Sequence, residues 1–158
     1  MICGKSSINE NSFAMSALNA KYMQDENAAI SYLEDIIWPS GPICPNCGVT
    51  DNAYALQGVR TKPSKKYPEG KVRHGLKKCK DCGKQFTVRI GTMFESSHIE
   101  LHLWLQAICL LCSSNRKISA VQLHRKLGIT VKSAWLLGRR IRKAMPNNPT
   151  TSKENTIT

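Results

Sequence analysis

The chain has 158 residues, with 23 Lys and Arg against 11 Asp and Glu, and a formal charge of +12. That length admits one ordinary domain or two small ones, and the charge points to a polyanion, either nucleic acid or an anionic membrane surface. A hydrophobic content of 41% excludes a disordered chain, and the most apolar stretch, Leu103 to Cys112, is too short to span a membrane, which takes about 20 residues.

Met1 to Ser7 lacks a basic start followed by an apolar run, so no secretory signal is expected. The reading is cytoplasmic. The seven cysteines are then metal ligands or buried thiols, not a disulfide framework. The charge is uneven. Residues 1–43 carry −3, residues 44–97 carry +7, residues 98–145 carry +8, and the last thirteen, with Lys153 and Glu154, carry no net charge.

About twenty polar and small residues of no clear period come first, with a second potential start at Met15 and a lone Cys3. Asp25 to Trp38 then reads as a helix. Asp25 is the N-cap, Glu26 sits at the positive end of the dipole, and Ala29, Ile30, Leu33, Ile36 and Ile37 form an apolar stripe. Trp38-Pro39-Ser40-Gly41-Pro42 stops it. The expected role is packing against whatever follows.

Two C-x-x-C-G turns come next, Cys44-Pro-Asn-Cys47-Gly and Cys79-Lys-Asp-Cys82-Gly. Together they supply four thiolates, the set that closes a tetrahedral shell around one structural Zn²⁺ and leaves no position for a reacting water. The glycine after each pair relieves the backbone where it turns sharply. The 31 residues between Cys47 and Cys79 hold a Pro- and Lys-rich loop, Thr61 to Gly70, between strand candidates at Tyr54 to Val59 and Lys71 to Lys78. Lys84 to Ile90 alternates, with Phe86, Val88 and Ile90 on one face.

From Ile99 the period becomes helical: Leu101, Trp104, Leu105, Ile108, Leu111 and Cys112 share a face. Cys109 and Cys112 lie in this run and read as packed thiols. His98 and His102 are four apart and could share a helix face, but no matching carboxylate or third ligand is expected nearby, which argues against a second metal site. Ser119 caps a second helix, Ala120 to Leu127, with Ala120, Leu123 and Leu127 inward. Gly128-Ile129 turns, and Thr130 caps a third helix, Val131 to Met145. His124 occupies a place where a helix-turn-helix usually has a small residue.

On the third helix Lys132, Ser133, Leu136, Arg139, Arg140 and Lys143 lie opposite Ala134, Ile141 and Met145. Lys132 and Ser133, near its N-terminus, are candidates for base edges or nearby phosphates; Arg139, Arg140, Arg142 and Lys143 are candidates for phosphates. Lys77, Lys78, Lys84 and Arg89 are further DNA-binding candidates on the ribbon. The expected partner is double-stranded DNA and not a membrane, because the apolar helix faces are needed for the bundle.

Three blocks carry a resemblance: Trp38-Pro-Ser-Gly-Pro-Ile-Cys-Pro-Asn-Cys-Gly, the stretch from Cys79-Lys-Asp-Cys-Gly-Lys-Gln-Phe to Ser97-His-Ile, and Ser119-Ala-Val-Gln-Leu-His-Arg-Lys-Leu-Gly-Ile-Thr-Val-Lys-Ser-Ala-Trp. The chain resembles, from about Met15 to Met145, the N-terminal part of zinc-ribbon transposases of bacterial insertion sequences. In those proteins a ribbon and a helix-turn-helix precede an RNase H-like acidic catalytic domain. The resemblance implies binding to element-end DNA, agrees with His124, and makes Met1 to Ala14 an upstream extension. The family's catalysis uses three acidic residues, or two with a third polar ligand, holding two metal ions beyond the helix-turn-helix. After Asp81 this sequence has no Asp, and its later glutamates are Glu95, Glu100 and Glu154.

The expectation is therefore a transposase truncated before its catalytic domain, with no catalytic residues and no enzyme activity of its own. It would be nucleoid-associated when bound, with a second copy or full-length transposase as further partners. An RNA- or protein-binding adaptor or a transcriptional regulator is the alternative. The expected fold is α+β: a flexible extension (1–24), an amphipathic helix (25–39), a small antiparallel zinc ribbon (40–97), a three-helix helix-turn-helix bundle (98–146) and a disordered tail (147–158).

Overall fold

The structure, a computed structural model, describes residues 18–65, 67–113 and 118–145. Met15, Cys3, the Ser114-Asn115 break and the tail beyond residue 145 lie outside the described residues. In chain order come a 3₁₀ turn (Lys21–Met23), α1 (Glu26–Ile37), β1 (Ala53–Ala55), β2 (Lys77–Cys79), β3 (Gln85–Phe86), α2 (Leu101–Ser113), α3 (Ala120–Leu127) and α4 (Val131–Ala144). The class is α+β, as the patterning implies.

α1 forms where its cap and stripe place it. The Asp25 carboxylate accepts from the Ala28 N–H at 2.8 Å, satisfying one of the amides that a helix start leaves open. Ala29, Ile30 and Leu33 are buried, while Ile36 near the last turn is 46% exposed. The partner of α1 is distant in sequence. It packs on α2, across the whole length of the ribbon. Residues 18–24, grouped with the extension on sequence, are packed: Met23 is buried, Tyr22 stacks on Tyr32 with ring centroids 4.0 Å apart, and the Gln106 amide donates to the Met23 carbonyl.

One apolar core holds α1, the segment after β3 and the three C-terminal helices. Its members include Ile30 and Leu33, then Val88 and Phe94, then Leu101 and Trp104, then Leu123, Leu137 and Ile141. Trp104 is the largest side chain buried to within 2% of full coverage. Its ring edge meets Phe94 at 5.3 Å, and its indole N–H donates to Ser97 Oγ at 3.1 Å. Cys109 is half-buried and packs against this core, as its place in the run implies, whereas Cys112 is exposed, contrary to the packed-thiol expectation, because α2 buries the face that carries Leu101, Trp104, Leu105 and Ala107.

The sheet is antiparallel, in the order β1-β2-β3, with Ala53 opposite Cys79 and Lys78 opposite Gln85. Its strands are shorter than the alternation suggested. Between β1 and β2 the chain continues as a paired but irregular arm: Leu56 N–H to Leu76 O at 2.8 Å, Arg73 N–H to Val59 O at 2.8 Å, Thr61 N–H to Lys71 O at 2.8 Å. After Phe86 the strand gives way to successive turns, beginning with Ile90 N–H to Thr87 O. Val88 still enters the core, but Ile90 swings out to 41% exposure instead of sharing that face.

Gly75 is where the arm crosses α1. Its φ is +66°, and a Cβ there would sit 2.7 Å from Ile30 Cγ2. Gly75→Ala combines left-handed strain with overpacking against a core side chain, so it should destabilise the zinc-loaded protein by about 2–4 kcal/mol in urea unfolding. A loss below about 0.5 kcal/mol would mean that the arm lifts off α1 freely.

Candidate functional site

The two cysteine turns are built alike. In the first, Gly48 N–H donates to Cys44 O at 2.9 Å and Cys44 N–H to Val49 O at 2.9 Å; in the second, Gly83 N–H donates to Cys79 O at 3.1 Å and Cys79 N–H to Lys84 O at 3.0 Å. Ile43 bridges Thr50 as Lys78 pairs with Gln85. Every partner in one turn has its counterpart 35 positions on in the other, so the two knuckles are structural repeats. Gly48 and Gly83 hold φ of +74° and +70°, which ordinary side chains adopt only with strain.

The knuckles face each other and bring four sulfurs together. Cys44 Sγ lies 3.6 Å from Cys82 Sγ, and Cys47 Sγ lies 3.6 Å from Cys79 Sγ. All four fall within 4.8 Å of one another. A disulfide needs about 2.05 Å, so these pairs are not disulfides. Four thiolates at about 2.3 Å from one tetrahedral zinc stand about 3.8 Å apart, which the observed spacing fits. The four cysteines form the site of one structural zinc.

Local hydrogen bonds prepare that site unequally. The Cys47 backbone N–H, aided by that of Asn46, outweighs desolvation and lowers the Cys44 thiol to about 6. At Cys47 the Val49 N–H is outweighed by desolvation and by the sulfurs of Cys44, Cys79 and Cys82, and the thiol is pushed up to about 12. The ribbon has little core of its own: Cys44, Cys79 and Phe86 are buried, with Trp38 edge-on to Phe86 at 5.7 Å.

Several cations singled out on sequence have internal duties. Arg89 donates to Ser97 O and Ile99 O, each at 3.0 Å, and to Glu26 Oε1 at 2.9 Å. Lys77 pairs with Glu34 at 3.0 Å and lies over the Trp38 ring. Arg142 donates to Ile118 O at 2.7 Å, Arg140 to Glu95 O at 2.8 Å, and Lys84 to Asn46 Oδ1 at 2.6 Å. Lys78 is half-buried in β2. These groups brace the fold, which their place in the sequence did not disclose.

α4 keeps the remaining candidates outward. Ala134, Leu137, Gly138 and Ile141 are buried, while Lys132, Leu136, Arg139 and Lys143 are exposed on the opposite side. The Thr130 hydroxyl accepts from Ser133 N–H at 3.2 Å and donates to Ser133 Oγ at 2.9 Å, fixing the helix start. Gly128 takes φ +66° in the turn, and His124 Nδ1 bonds to the Ile129 carbonyl. The side chain that looked too large for the motif thus fastens its turn. Gly138 lets Leu123 approach closely where α3 crosses α4.

A second cluster joins Glu26, Glu100 and His102. His102 does have carboxylates beside it, at 3.2 Å from Glu26 and 3.7 Å from Glu100, and the one from α1 arrives across 76 positions of sequence. Glu26 is already paired with Arg89, and Glu100 with Lys71 at 2.7 Å, which holds the Glu100 carboxyl below its usual range. The cluster is an ionic clasp between α1, the ribbon arm and the start of α2.

A four-cysteine ribbon with two repeated knuckles, braced against a helix-turn-helix, defines the class as a zinc-ribbon protein. Residues 24–85, from α1 to β3, match the IS1595-type transposase zinc-ribbon domain family. Over 131 residues, 79% of this chain, the sequence is 25% identical to an uncharacterized protein in the transposable element ISH50 of Halobacterium salinarum. The chain spans 37% of the length of that relative. No solved structure matches. The chain carries a transposase-related zinc-binding module. Among the described residues no helix is long and apolar enough to cross a membrane.

Zinc binding should release about one proton fewer at pH 7.5 than at pH 5, because Cys44 is a thiol below its value of about 6 and already a thiolate above it. Calorimetry in buffers of different ionisation enthalpy reads this count; an unchanged count would mean that Cys44 titrates normally. Cys79→Ser should abolish the one-to-one zinc stoichiometry. It should expose the amides of 44–50 and 79–86 to exchange while those of α2 and α4 stay protected, since the larger core contains no zinc ligand.

Proposed function

We propose that this chain is a duplex-DNA-binding module of an insertion-sequence transposase. In it the zinc ribbon is a rigid brace and α4 lies in the major groove at element-end DNA. The observation that carries the reading is the outward face of α4. Lys132, Arg139 and Lys143 stand there exposed, and no ion pair engages them among the described residues. Between Glu100 and Glu154 the sequence contains no acid, so neither α3 nor α4 carries a carboxylate of its own. The capped start at Thr130 and the turn closed by His124 present the N-terminal half of α4 first, the end that a recognition helix offers to base edges.

Under this reading Lys132 and Ser133 approach base edges or the nearest phosphates, Leu136 a base edge, and Arg139 and Lys143 the backbone. Arg89, Arg142, Arg140 and Lys77 contribute by holding the interface in shape. Duplex affinity should fall with salt at about 0.9 log units per log salt for each phosphate neutralised. Lys143→Ala and Arg139→Ala should each reduce that slope by roughly one without lowering stability. Arg89→Ala should lower stability first. A slope near zero, or equal preference for RNA and single strands over duplex, would sink the proposal.

The reading assigns the chain no strand cleavage. Of its acids after Asp81, Glu95 accepts from the Gly91 N–H at 3.0 Å and Glu100 pairs with Lys71. A two-metal centre needs several carboxylates converging on one point. Element-end duplex incubated with the zinc-loaded chain and Mg²⁺ or Mn²⁺ should stay intact; nicking abolished by Glu95→Gln or Glu100→Gln would overturn this part.

A further inference from the structure

We infer that α4 reads thymine through an apolar edge: Val131, Trp135 and Leu136 form a surface that fits the C5-methyl groups lining the major groove. The inference rests on the DNA-binding reading above and adds the chemical feature recognised. These three side chains are 44%, 50% and 43% exposed. Single exposed apolar residues are ordinary, but here three stand together at positions i, i+4 and i+5 of one helix, in its N-terminal half.

Their setting selects the occupant. At 3.6 residues per turn, Leu136 falls on the same outward line as Lys132 and Arg139, and Val131 and Trp135 flank that line on one side. The Arg139 guanidinium carbon lies 5.4 Å from the centroid of the Trp135 ring, a cation–π contact that holds the indole along the helix beside a cation. A second copy of this chain docking through the same face would bring like charges together, since α3 and α4 contain no acid to offset them. A duplex supplies the reverse: phosphates for the cations and, between them, an apolar group of its own. Thymine alone among the standard bases presents a methyl in the major groove.

The test uses the zinc-loaded chain, a duplex it selects from a randomised pool, and the same duplex with every thymine replaced by uracil. Uracil keeps all hydrogen-bonding groups and removes only the methyl. Each well-buried methyl is worth roughly fourfold in affinity, so two or three should make the uracil duplex about 15- to 60-fold weaker. Trp135→Ala and Leu136→Ala lie outside the core and should narrow that ratio towards one while keeping the salt slope. Equal binding of both duplexes with a steep salt slope would overturn the thymine assignment and leave DNA binding standing. No salt-dependent binding of either would remove the underlying reading. A uracil effect unchanged in both variants would belong to duplex shape and also overturn the assignment, as would a dimer abolished by Trp135→Ala with no thymine preference.

Discussion

The convergence of four sulfurs between two knuckles is the constraint on which the ribbon depends. Around that point the buried apolar set is Cys44, Cys79 and Phe86, two of which are themselves ligands. So small an apolar cluster does not by itself offset the ordering of two tight turns. The knuckles therefore need the metal to close them, and without it the sulfurs meet as thiols whose protons must go somewhere. The opposite displacements of Cys44 and Cys47 express that conflict: one sulfur is surrounded by donors, and the other is left among sulfurs. A cation at the centre resolves both.

A metal-closed ribbon still has to be fixed to the helices, and the sequence around it does this twice. Trp38 leaves α1 and packs edge-on to Phe86, while Val88, two residues past Phe86, enters the helical core. The second attachment is ionic. Glu26, in the first turn of α1, receives Arg89 from the ribbon and His102 from α2, and Glu100 receives Lys71 from the arm. Glu26 gains from its place at the positive end of the α1 dipole, so the helix start and the clasp support the same carboxylate. These pairs are partly buried, and their value lies in fixing register between segments more than in net stability.

Local features were legible from residues alone. The caps at Asp25, Ser119 and Thr130, the turn glycine Gly128 and the cysteine spacing all act within a few positions, and each appears where its pattern placed it. What escaped acts at long range. Nothing near His102 announces that Glu26 will meet it, and nothing near Arg89 says that its guanidinium will hold Ser97, Ile99 and Glu26 together. The alternation through Ile90 failed for a related reason: a period of two assumes a strand that continues, but pairing with β2 ends at Phe86 and turns take over. The exposure of Trp135 has no local signal either: α4 buries Ala134, Leu137, Gly138 and Ile141, and the indole next to Ala134 is left outside.

These placements change what the formal charge of +12 means. Zinc with four thiolates carries a net −2, which lowers the ribbon's share of +7 further below the +8 of the helical segment. The acids of α1 then act on the same side, since Glu26 and Glu34 pair with Arg89 and Lys77. Glu100, the last acid before the helices, pairs with Lys71 of the arm. The described acids that form ion pairs thus all oppose cations of the ribbon and its arm or His102, and none opposes α3 or α4. The cations of α3 and α4 therefore meet no carboxylate among the described ion pairs, and Lys132, Arg139 and Lys143 of α4 face solvent.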